Sequence, residues 1–172
     1  MQRSVTSSEQ VQVYRFSLPA AVGIPLLAVF LQAYLPKYVP FLLMIDLPLL
    51  VVIFFAVARR WPISGLMTGT IIGLFQDSLT NQPIGLYGIA NTVIGYMASS
   101  IGMKIDVENP GSRFLMTFVF CLIHQVVYFA MGHGLVRMDL QLRWGHLLMV
   151  ALLNAVVAVP VFAILDRFKQ RT

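Results

Sequence analysis

Six apolar runs separated by short polar breaks account for most of this chain, at about residues 18–35, 39–58, 62–79, 84–103, 114–136 and 145–165. A helix of about 20 apolar residues crosses the hydrocarbon core of a bilayer, because it satisfies its backbone polar groups internally. Six such runs in 172 residues leave no length for an independent soluble domain. Charge content agrees: charged residues make up 11% of the chain, whereas a water-soluble domain carries about 25%. The sequence therefore predicts an all-α polytopic membrane protein, one domain over residues 1–172. The polar segment Met1–Ser17 does not read as a signal peptide, since the first apolar run starts too late and five more follow.

Basic residues orient the spans. Arg3 and Arg15 precede the first run, Arg59 and Arg60 follow the second, Lys104 and Arg113 follow the fourth, and Arg167, Lys169 and Arg171 follow the sixth. Lys37, Arg137 and Arg143 fall on the other side. Lysine and arginine collect in cytoplasmic loops, so nine against three predicts a multi-pass protein of a bacterial inner (cytoplasmic) membrane with both termini in the cytoplasm. The net charge of +5 then needs no nucleic-acid partner. Trp61 and Tyr14 are placed at the inner interface, and Trp144, Tyr34 and Tyr38 at the outer one.

The third and fourth runs differ from the rest. Gly65, Gly69 and Gly73 recur at every fourth residue, and Asp77 continues the step. In the fourth, Gly85, Gly88, Thr92, Gly95, Ser99 and Gly102 alternate at steps of three and four. Such seams let helices approach closely in lipid, where hydrophobicity gives no drive to associate. They either pack the protein's own helices or accept a span of another protein.

Carboxylates inside a membrane cost about 2.5–3.5 kcal/mol each on insertion scales, so Asp46 and Asp77 need a reason. Both are expected at similar depth toward the outer face, with Gln76 and Asn81 near Asp77. They cap helix ends, accept hydrogen bonds from loop backbone, or bind something. Asn91, His124, Gln125 and Asn154 are the other polar groups well inside the runs, and the roles of His124 and Asn154 stay open. His124 and His133 are nine residues apart on one helix, so they face different sides and do not chelate one metal. Cys121, the single cysteine, reads as a small buried apolar residue. No nucleophile elbow, phosphate loop, zinc-protease helix or dinucleotide fingerprint is present. The expectation is a protein that is not an enzyme, with no catalytic residue, metal or cofactor.

The segments IDLPLLVVIFFAVARR (Asp46), SGLMTGTIIGLFQDSL (Gly65 to Leu79) and IGLYGIANTVIGYMAS (Gly85, Gly95, Tyr96) resemble the rod shape-determining protein MreD family. The resemblance is strong over residues 40–105, and chain size and six spans agree throughout. It implies a non-enzymatic membrane subunit of the cell-elongation machinery, scaffolding peptidoglycan synthesis through the bitopic protein MreC. The actin-like MreB and the peptidoglycan polymerase and transpeptidase pair are the further partners it implies. It also implies a fold similar to the substrate-binding subunits of energy-coupling-factor transporters. Structural or partner-binding roles then fall on Asp46, Gly65, Gly69, Gly73, Gln76, Asp77, Gly85, Asn91, Gly95 and Tyr96. The alternative is a vitamin-binding subunit of such a transporter, although the first run lacks the Ala-xxx-Ala pair those subunits often present. An ion or proton carrier would lack a relay through the inner half of the membrane.

Overall fold

A helix of 13 residues, buried from Pro48 to Ala58, runs through the middle of the molecule. The computed structural model describes residues 15–102, 109–138 and 143–170. Among these residues there are six α-helices: α1 (Leu18–Tyr34), α2 (Leu47–Arg59), α3 (Pro62–Leu79), α4 (Leu86–Gly102), α5 (Pro110–Gly134) and α6 (Trp144–Leu165). Proline sits in the first turn of α1, α2, α3 and α5, where its missing N–H has no intrahelical acceptor to lose. α5 begins before the expected Phe114, because Asn109 caps it by accepting from the Gly111 N–H and Pro110 opens it.

The second apolar run is not one helix. Residues Pro40–Met44 form a 3-10 turn, Ile45 is extended, Asp46 is non-helical, and α2 starts only at Leu47. At about 1.5 Å per residue, α2 reaches only about 20 Å, less than the roughly 30 Å hydrocarbon core. Irregular backbone is tolerated at such depth when protein surrounds it. α1, α3, α4 and α6 all pack on α2, which supplies most of the core with Ile72, Ile94, Phe120 and Phe162.

The stretches Pro19–Lys37, Pro110–Gly134 and Trp144–Phe168 are each long and apolar enough to span a membrane. Their outward side chains, such as Leu27, Phe30, Val119, Leu152 and Val156, are exposed. An apolar girdle of that extent is incompatible with a water-soluble monomer and matches lipid.

The two ends of the bundle differ. At one, β1 (Arg15–Phe16) pairs antiparallel with β2 (Lys169–Gln170). Phe16 packs its ring on Phe54 and Phe55 there, and Phe54 meets Phe162. Arg113, buried at the start of α5, contacts Asp166 after α6 at 2.7 Å. Gly102 closes α4 against Val57 of α2. The first and last described elements of the bundle therefore lie together. Arg3, Tyr14, Lys104 and Arg171 of the charge and aromatic patterns lie outside the described residues. Cysteines at Phe16 and Lys169 are expected to form a disulfide under mild oxidation, whereas cysteines at Phe16 and Arg143 are not. Gel mobility before and after reduction reads the result, and no 16–169 link would separate the termini.

Candidate functional site

The break before α2 exposes backbone groups that an unbroken helix would pair, and three side chains, Asp46, Gln32 and Asn154, take them. Asp46 is the N-cap of α2, its Oδ1 accepting from the Leu49 N–H at 3.1 Å. Gln32 of α1 accepts the Leu47 N–H at 3.1 Å. Asn154 of α6 accepts the Asp46 N–H through Oδ1 at 2.8 Å and donates through Nδ2 to the Met44 carbonyl at 2.8 Å. Gln76 of α3 donates to Asp46 Oδ1 at 3.1 Å, and Asn91 of α4 donates to Gln76 Oε1 at 3.1 Å. The chain Asn91–Gln76–Asp46 thus ties three helices together at one level. Buried amides are usually paired in this way, although the Asn91 Oδ1 itself has no hydrogen-bond partner among the described residues.

Asp77 does a parallel job for α4. It is fully buried, and its carboxylate accepts from the backbone N–H groups of Gly85 (2.8 Å), Tyr87 (3.0 Å) and Gly88 (3.1 Å). These are N–H groups at the helix start with no carbonyl partner of their own. The turn delivering them passes through Gly85 at φ 106°, a conformation that side chains with a β-carbon rarely adopt. The spacing of Gln76-Asp77 before Gly85 is therefore a capping device across the α3–α4 turn.

The two glycine seams meet each other. A β-carbon at Gly65 would collide with the Gly95 carbonyl, one at Gly69 with the Asn91 carbonyl, and one at Gly73 with the Tyr87 carbonyl. Thr70 and Thr92 hydroxyls bond across the same contact at 2.7 Å. The seams of Gly65, Gly69, Gly73 and Gly95 are filled within the chain and are not open to a helix of another protein. Tyr96 points away from this contact and is exposed.

Beside the break lies a cavity of about 500 Å³ between the start of α2 and helices α4, α5 and α6. Asp46 and Asn154 border it together with Tyr87, His124, Gln125 and Tyr128. Tyr87 meets Tyr128 in a tilted contact with ring centroids 4.8 Å apart and stacks on His124 at 5.9 Å. His133 lies elsewhere, exposed and stacked on Phe129. Gln32, Tyr87 and Tyr128 were not singled out by sequence: a glutamine near a helix end and tyrosines near an interface are ordinary membrane features. Asn154 carried a signal, as a buried amide in an otherwise apolar helix.

No curated protein and no solved structure matches the chain, so the expected likeness to energy-coupling-factor subunits has no solved fold behind it. A family model described as rod shape-determining protein MreD matches residues 14–169. Since that match runs from β1 to β2 through all six helices, the chain belongs to the MreD family of rod shape-determining proteins.

Proposed function

We propose that the chain is a non-enzymatic subunit of the cell-elongation machinery, scaffolding peptidoglycan synthesis by binding an MreC-like bitopic protein. Its family gives it a role in rod shape determination. The observation that carries the finer reading is how the membrane-buried polar groups are spent. Asp77, Gln76, Asn91 and Asn154 bond to the chain's own backbone and to each other, which builds a rigid body and no reaction centre. With the glycine seams closed, a partner span would meet the outward side of α3 and α4, where Met67, Ile71 and Tyr96 are exposed. Actin-like MreB and the peptidoglycan polymerase and transpeptidase pair would complete the assembly.

The same reading takes the protein as six spans in the bacterial inner membrane with both ends cytoplasmic. The pairing of β1 with β2 supports an even number of crossings. Arg15, Arg59, Arg60, Arg113, Arg167 and Lys169 at that end, against Lys37, Arg137 and Arg143 at the other, support the orientation.

Purification of the tagged protein from native membranes in mild detergent, followed by mass spectrometry, is expected to recover an MreC-like bitopic protein. Tyr96→Ala together with Ile71→Ala is expected to reduce that recovery about tenfold, the effect of losing about 1.4 kcal/mol, and loss of the gene to round the cells. Recovery of an ATPase-containing transport module, or unchanged rod shape, would overturn the reading.

A further inference from the structure

We propose that the cavity beside the α2 break binds a small organic ammonium cation carried on an apolar body, with Asp46 receiving the charge. The proposal stands independently of the scaffold reading. A volume of about 500 Å³ is within the range of small-molecule sites, roughly 300–1,000 Å³. Its walls are mostly apolar, contributed by Leu43, Leu49, Leu147 and Val150 among others.

Three observations select the ligand's chemistry. Among the described residues Asp46 is the only acidic one lining the cavity, and none of the lining residues is lysine or arginine. Its Oδ1 is committed to Leu49 and Gln76, while its Oδ2 accepts no hydrogen bond from any described residue. An anion would meet an unopposed carboxylate here, and a neutral ligand would desolvate that oxygen without replacing water.

The second observation is His124, which is 4% exposed and borders the cavity, yet whose Nε2 has no hydrogen-bond partner. Gln125 commits its Nε2 to the Cys121 and Leu147 carbonyls, leaving its Oε1 as a further acceptor. Buried polar groups are nearly always paired, so these groups point to something that completes the site. The third is the aromatic wall of Tyr87, Tyr128 and Phe129. Aromatic rings grouped near a carboxylate favour an alkylammonium group, whereas a hard metal cation needs several oxygen ligands.

The same ammonium chemistry is found in a free amine and in the headgroup of phosphatidylethanolamine. The full chain in phosphatidylcholine nanodiscs is titrated with 2-phenylethylammonium while its unfolding midpoint is followed. At about tenfold above Kd, a saturable rise of about 3–6 °C is expected. The uncharged 2-phenylethanol and the anion phenylacetate are expected to give none. Asp46→Asn keeps an N-cap oxygen for α2 but removes the charge, and is expected to weaken binding at least about tenfold. Val150→Phe fills the cavity without touching Asp46 and is expected to do the same, so the test survives if the Asn variant fails to fold.

If the natural ligand is the lipid headgroup, nanodiscs containing phosphatidylethanolamine raise the midpoint by themselves and blunt the amine's effect. If it is a free amine, the response is the same in both lipids. No shift with the amine, an equal shift with 2-phenylethanol, or undiminished binding in both variants would leave a water-filled void and overturn the proposal.

Discussion

Asp77→Ala is expected to cost the protein most of its stability. The substitution removes the acceptor of three backbone N–H groups at Gly85, Tyr87 and Gly88, in a place where water does not replace it. Each buried donor left unpaired costs about 1–3 kcal/mol, against a total stability of about 5–15 kcal/mol for a typical domain. The α3–α4 turn would lose its fastening, and the Gly85 N–H would lose its acceptor. Thermal unfolding in detergent should show a large drop in midpoint, with protein levels in the membrane falling in step. Asp77→Asn keeps one acceptor oxygen but turns an amide donor toward N–H groups, so it should fall between Ala and wild type. A wild-type midpoint for Asp77→Ala would show that the cap contributes little.

The second large effect is expected at Gly69. A leucine there would drive its β-carbon into the Asn91 carbonyl and the backbone of Thr92. Backbone does not yield by changing rotamer, so α3 and α4 must separate. That separation breaks the Thr70–Thr92 hydrogen bond and the Gln76–Asn91 contact together. The expected loss is about 3 kcal/mol or more, at the upper end for overpacking. Gly23→Leu is the matched control: nothing lies within 4 Å of its β-carbon position, so it should be near neutral or slightly stabilising through helix propensity. Equal unfolding midpoints for the two variants would refute the close approach of α3 and α4.

The helices were legible because most of them coincide with a long apolar run, and the start of α3 follows from Pro62. The glycine seams were legible as surfaces for close approach, since a step of four is a property of one helix. Whose helix fills them is not, because the complementary surface, which lies 14 to 30 residues away from Gly73, Gly69 and Gly65, looks the same whether it belongs to this chain or another. The break at Ile45–Asp46 was hidden inside a uniformly apolar run. Its partners, Gln32, Gln76 and Asn154, are 15 to 110 positions distant from the groups they serve. Asp46 and Asp77 were recognisable as expensive, and the structure separates their roles. Asp77 spends both oxygens on backbone, whereas Asp46 keeps one facing a cavity no periodicity foretells.

The distance in sequence between Asp46 and Asn154 also sets an order of events during synthesis. The Met44 carbonyl and the Asp46 N–H are made about a hundred residues before the amide that pairs them and enter the bilayer without it. Until α6 emerges from the ribosome, the second segment is too short and too polar at its start to settle in lipid alone. The last helix to be translated completes the second, so a chain stopped anywhere before Asn154 carries an unsealed segment for membrane proteases to find.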